Sequence, residues 1–161
     1  MPDLVICNTS PLFYLHGLQN LTLLEKLYTR IVVPEAVVKE LEAGRRQGED
    51  VPMIVGCEWI EIRSVRVPQL LELTADFGPG EVEVLALALE EKGSLIIVDD
   101  RLAREFARVR GLRITGTAGV LLRAKQQGHI PAVRPLLDKL IEMDFWLSDD
   151  VRNRILKLSG E

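Results

Sequence analysis

An α/β fold with a central parallel sheet is the expectation for this chain, and three observations predict it. Short apolar or β-branched runs alternate with longer stretches of helical spacing. Most of those runs are apolar at every position, as strands buried on both faces are. Polar clusters follow the runs, where the carboxyl ends of parallel strands would lie. The layers follow: a three-layer sandwich with helices on both faces of the sheet, plus helices at the C-terminal end.

Each element has its own reason. LVIC, residues 4–7, reads as a buried strand that ends in Asn8-Thr9-Ser10 and Pro11. From Pro11 to Tyr28 leucines recur every third position, and Gly17 and Asn20 split the stretch into two helical pieces. Arg30 to Val33 is a second, β-branched strand. Pro34 suits the first turn of the next helix, Glu35 its positive end, and Gly44 its stop. Residues 45–56 (RRQGEDVPMIVG) read as a mobile loop. Trp59 to Ile62 alternates like a half-buried strand, and Val67 to Leu73 reads as a short helix. Gly78-Pro79-Gly80 leads into a helix from Glu81 to Glu91. SLIIV, residues 94–98, is a buried strand ending in Asp99-Asp100, before a helix from Arg101 to Arg110. Arg113 to Thr115 is the last strand, with a helix from about Thr117 to Gln127 and two more over 131–143 and 148–158.

Composition sets the outer limits. The 161 residues suit one domain over 1–161, and 47% apolar with 27% charged residues suit a folded core. The longest apolar run, Val84 to Leu89, is far short of the roughly 20 residues a membrane span needs. The opening MPDLVICNTSPLF lacks the layout of a secretion signal, so the expected location is the cytoplasm. Cys7 and Cys57 match no metal spacing and are expected to be reduced. Charge is unevenly spread: residues 1–100 carry a balance of −9, residues 101–125 one of +6. That juxtaposes a place for cations with a place for phosphates, although solvated helix faces give the same count.

The acids carry the chemistry. Asn8-Thr9-Ser10 and Asp99-Asp100 follow strands, Glu81 opens a helix, and Glu40 lies about one and a half turns into another. Singly, each has a plainer use: Asn8 in a turn, Thr9 or Ser10 as a cap, Glu81 on the helix dipole, one aspartate of the pair as an N-cap, Glu40 solvated. Together they place polar groups in register at the strand ends, which favours a site. Crowded carboxylates repel unless a cation compensates them. Oxygen ligands with only two histidines suit Mg²⁺ or Mn²⁺ rather than zinc. No G-x-G-x-x-G follows the first strand, and there is no P-loop and no G-x-S-x-G. An aromatic content of 5% argues against a base-stacking sheet platform.

NTSPL after a strand, VPEAVVKEL, GPGEVEVLALALE, LIIVDDRLAREFARVRGL and ITGTAGVLLRAKQQG, in this order, resemble the PIN-domain superfamily, a Rossmann-like parallel-sheet fold. In particular they resemble its prokaryotic branch DUF3368, related to the VapC-type ribonuclease toxins, over a core of about residues 4–130 with a helical tail at 131–161. The resemblance implies a metal site of Asn8, Glu40, Glu81, Asp99 and Asp100, with the catalytic acids Glu40, Glu81 and Asp100, and Asp99 sharing the last position. Asn8 stands where such nucleases carry Asp in a D-[ST]-[ST] pattern, so one negative charge is given up. Spacing to Gly111 favours Asp100 over Asp99. Ser10 is implied as a supporting hydroxyl, and Arg101, Arg104, Arg123 and Lys125 as RNA contacts, so RNA affinity should fall as salt rises.

The implied activity is cleavage of single-stranded RNA phosphodiester bonds with Mg²⁺ or Mn²⁺. The implied partners are an antitoxin protein and a second copy of the chain, with no membrane. The alternative is a PIN-fold module with weakened or lost catalysis that acts by binding protein. In that case residues 45–56 and the C-terminal helices near Trp146 are the candidate contact surfaces.

Overall fold

The computed structural model describes residues 2–69 and 76–161. In chain order the elements are β1 (Val5–Cys7), α1 (Thr9–Gly17), α2 (Leu23–Tyr28), β2 (Ile31–Pro34), α3 (Glu35–Arg46) and β3 (Ile60–Arg63). Then follow α4 (Pro79–Glu90), β4 (Leu95–Ile97), α5 (Arg101–Val109), β5 (Arg113–Thr115), α6 (Thr117–Gln126), α7 (Arg134–Glu142) and α8 (Asp149–Ser159). The five strands form one parallel sheet in the order β3-β2-β1-β4-β5. Helices cover both faces, which makes the predicted three-layer α/β fold.

The apolar runs explain the sheet. Every residue of β1, β2 and β4 is buried, and these are the central strands. The edge strand β3 buries Ile60 as the alternation in WIEI predicts, but leaves Ile62, two residues on along the same face, exposed at the sheet edge. Val5 lies opposite Leu95 and Cys7 opposite Ile97, and the Asn8 N–H extends this ladder by donating to Ile97 O at 3.0 Å. The residues just past β1 and β4 therefore emerge side by side. On one face α4 packs on β1, β2 and β4 between α3 and α5; α6 packs against α1, α2 and α8.

Several boundaries shift for identifiable reasons. The first helix starts at Thr9, so Pro11 falls in its first turn, where a missing N–H costs nothing. Pro34 closes β2 and caps α3, which continues past Gly44 to Arg46. Residues 45–56 are not the loose loop that their polarity suggests. Val51 and Ile54 are buried in the core, and Arg45 Nη2 donates to Pro52 O at 3.2 Å. The short helix expected over Val67 to Leu73 extends over residues 70–73, outside the described residues. Cys7 and Cys57 are both free, and burial pushes the Cys7 thiol well above its ordinary pKa, leaving it neutral and unreactive.

Candidate active site

The carboxyl ends of β1 and β4 bring Asn8 and Asp99 to the same edge, and helices supply the rest. Asn8 is the N-cap of α1, yet its side chain makes no capping bond. Instead its Nδ2 donates to Glu81 Oε1 at 3.1 Å, and the residue is 1% exposed. Only the amide NH₂ can donate to a carboxylate, which fixes the flip of the side chain. Thr9 Oγ1 donates to Glu40 Oε2 at 3.2 Å, and Ser10 Oγ donates to Asp99 Oδ2 at 2.9 Å. The tripeptide Asn8-Thr9-Ser10 thus holds three acids from three different elements.

Asp99 and Asp100 part company. Asp99 turns inward, where it also accepts from the Thr117 N–H at 2.8 Å and from Thr117 Oγ1 at 2.7 Å. Asp100 is exposed and caps α5, accepting from Ala103 N at 2.9 Å. The expected N-cap is therefore Asp100, and the acid beside Ser10 is Asp99. Spacing to Gly111 points to Asp100, but after β4 the chain buries Val98, and the next side chain is the one aimed at Ser10.

Glycines let these groups approach. A Cβ on Gly80 would collide with Glu40 Oε1 and come within 3.1 Å of Asn8 Oδ1. On Gly116 it would sit 2.8 Å from Asp99 Oδ1 and 3.0 Å from an Arg104 nitrogen. Burial and the nearby Glu81 carboxylate raise the Glu40 pKa, against the Gly80 amide and the Thr9 hydroxyl, which lower it. The Gly80 amide acts from nearby without the geometry of a hydrogen bond, since Glu40 Oε1 has no donor.

A raised carboxyl pKa has a defined sign for stability. The folded state holds the Glu40 proton more tightly than the unfolded chain does. The favourable neutral form is fully present below 4.5, and its contribution is lost as pH climbs through the raised value. Glu40→Gln is therefore expected to melt higher than the native chain at pH 7, by roughly 1–3 °C once solvent screening of a half-buried pair is allowed for. Thermal melts at pH 4 and pH 7 check this, and the difference should vanish at the lower pH.

A divalent ion can be tested against these residues. Asn8 Oδ1 and Glu40 Oε1 are both buried and both lack a donor. They crowd the same place over Gly80, beside Glu81. Acceptor-only oxygens left without donors fit a hard cation. Among the described residues no three His, Cys, Asp or Glu side chains are grouped closely enough to hold one. The residues that fit are thus two carboxylates and a neutral amide: Glu40, Glu81 and Asn8. Both Asp99 oxygens are engaged by Ser10 and Thr117.

Two neighbouring cavities lie here. A pocket of about 330 Å³ is lined by Thr9, Ser10, Tyr14, Glu40, Glu49 and Glu81 among others. A larger groove of about 830 Å³ has Asp99 and Gly116 in its lining, with Arg101, Arg104 and Arg108 from α5. The smaller one holds the carboxylate pair and so the chemistry. Arg123 and Lys125 line neither. The Arg123 guanidinium lies over the Tyr28 ring at 5.9 Å, and Lys125 Nζ donates to Pro131 O at 2.8 Å. Sequence reasoning missed Arg108 and Thr117. Arg108 stands seven residues after Arg101 and four after Arg104, on the same helical face, which was a readable signal. Thr117 opens α6 right after β5, the position for a side chain that meets its neighbour strand's end.

A parallel sheet with Asn8 and Asp99 emerging past β1 and β4, and Glu40 and Glu81 brought beside them, defines an α/β domain with a polar site at its strand ends. The chain belongs to the PIN-domain family DUF3368, whose model matches residues 4–161 and so includes α7 and α8. No curated protein and no solved structure matches it.

Proposed function

We propose that the protein is a divalent-metal-dependent ribonuclease of the toxin–antitoxin type, VapC-like, that cuts single-stranded RNA. PIN domains in general depend on divalent metals, which supports the Mg²⁺ or Mn²⁺ reading. The observation that carries it is the pair of donorless buried oxygens on Asn8 and Glu40 beside Glu81, next to an arginine-lined groove. A bound divalent ion supplies charge neutralisation at the phosphate.

The chain's own groups do the rest. Glu40, Glu81 and Asn8 present the oxygens that would hold the ion. Glu40 Oε1 and Asn8 Oδ1, which have no donor, are the atoms free to face that ion, and the attacking water would pass its proton to solvent. As the attacking oxygen bonds to phosphorus the ester P–O bond breaks, and the leaving oxygen takes up a proton from solvent. Ser10 Oγ, between the two cavities, can redirect its hydrogen to a phosphate oxygen. Arg101 and Arg104 line the groove, and Arg104 lies near enough to Asp99 to feel its charge. A cytoplasmic location, a homodimer and an antitoxin partner complete this reading. No described helix is long and apolar enough to cross a membrane.

Incubation of labelled RNA with Mn²⁺ tests the proposal. Glu81→Gln and Glu40→Gln are each expected to slow cutting about 100-fold or more, the scale on which a lost acid–base or charge-stabilising group registers. Equal cutting by all three proteins would overturn the nuclease reading. The amide at position 8 favours one second reading: its NH₂ already compensates Glu81 without a cation, as suits a module that binds protein and no longer cleaves. Native protein that neither cuts RNA nor takes up Mn²⁺ in calorimetry would favour that module.

A further inference from the structure

The groove beside the acid pocket has two unlike walls. On one, Arg101, Arg104 and Arg108 project from a single face of α5. Arg101 pairs with Glu105 at 3.4 Å, and Arg104 donates to Val98 O at 3.1 Å. Arg108 has no carboxylate partner among the described residues. The other wall is the segment Phe145-Trp146-Leu147 between α7 and α8. Phe145 and Leu147 pack against the core, whereas Trp146 between them is 84% exposed. Asp144, with φ of 63°, turns the chain just before this segment.

The groove adjoins the acid pocket. Ser10 lines the small pocket and bonds to Asp99, which lines the groove. Tyr14 of the small pocket meets Phe145 of the groove edge-on, with ring centroids 4.9 Å apart.

We propose that this groove seats the single-stranded RNA next to the cleaved bond, with one base stacked on Trp146 and adjoining phosphates on Arg104 and Arg108. The proposal rests on the ribonuclease reading and names the part of the site that positions its substrate. A guanidinium wall facing an indole offers each nucleotide what it carries, an anion and a π-face. An apolar peptide would satisfy the aromatic wall and leave the arginines without a counter-charge. Trp146 is a single shelf rather than a sheet platform, which agrees with the low aromatic content.

Binding of a fluorescein-labelled oligouridine by the full chain in EDTA, followed by anisotropy, tests this apart from cleavage. Trp146→Ala is expected to weaken binding about ten-fold, and Trp146→Phe to restore most of it. Arg108→Ala should lower the slope of affinity against salt by about one. Lys125→Ala, outside the groove, should bind like the native chain. The same oligomer in a duplex should bind without dependence on Trp146. Equal affinity of Trp146→Ala and native protein, or no affinity in either, overturns the proposal. Trp146-dependent binding without cutting in Mn²⁺ sinks the nuclease reading and leaves the groove. Cutting in Mn²⁺ with binding indifferent to Trp146 sinks the groove alone.

Discussion

Asn8→Asp is expected to lower the melting temperature of metal-free protein by roughly 5–15 °C and to raise Mn²⁺ affinity about ten-fold or more. Asn8 is 1% exposed and its amide donates to Glu81 Oε1 at 3.1 Å. An aspartate there replaces that donor with a second charge. At an effective dielectric near 20, two carboxylates about 4 Å apart repel by roughly 4 kcal/mol. Part of this is relieved if one of them takes up a proton, so the loss should grow as pH rises. A cation between them reverses the sign, because it binds the folded form alone. Melts in EDTA and in MnCl₂, with calorimetry of Mn²⁺ uptake, check both halves. Unchanged melting and unchanged uptake would place Asn8 outside any metal site.

A second large effect separates the adjacent aspartates. Asp99→Ala is expected to cost about 3–4 kcal/mol, since it strips hydrogen bonds to a carboxylate from partners left buried. Thr117 is 0% exposed, and both its N–H and its hydroxyl donate to Asp99. Asp100→Ala removes one capping bond from α5 and should cost about 1 kcal/mol. Urea denaturation of the two variants gives the comparison. RNA cutting should persist in Asp100→Ala, and its loss there, with the fold intact, would restore the assignment that spacing favours.

That pair shows where sequence reading stops. Runs such as LVIC and LIIV carry a strong signal because burial on both faces tolerates no polar residue, and they become the central strands. The same logic brings Asn8 and Asp99 together, since strands in register must end side by side. Glu81 joins them through α4, which packs over those strands, and Glu40 through α3, which packs on β2, β3 and α4. Which of two neighbouring aspartates turns inward depends on one backbone rotation after Val98, and no spacing rule encodes it.

The basic stretch was legible as a charge excess but not as a surface. It spans two helices, and only α5 aims its arginines into the groove, whereas Arg123 on α6 lies over Tyr28 of α2. Residues 45–56 misled for the opposite reason. Their polarity hides two apolar anchors, Val51 and Ile54, that tie the segment down.

The hydrogen bond from Ser10 to Asp99 has a kinetic consequence. It is the one side-chain link described between the acid pocket and the groove that hangs on a freely turning hydroxyl. Re-aiming it needs a rotation about a single bond, a matter of picoseconds to nanoseconds, while the sheet ends that carry both residues stay fixed. Ligand capture should accordingly show one fast, concentration-dependent phase in stopped-flow mixing, with no slower lag from backbone rearrangement.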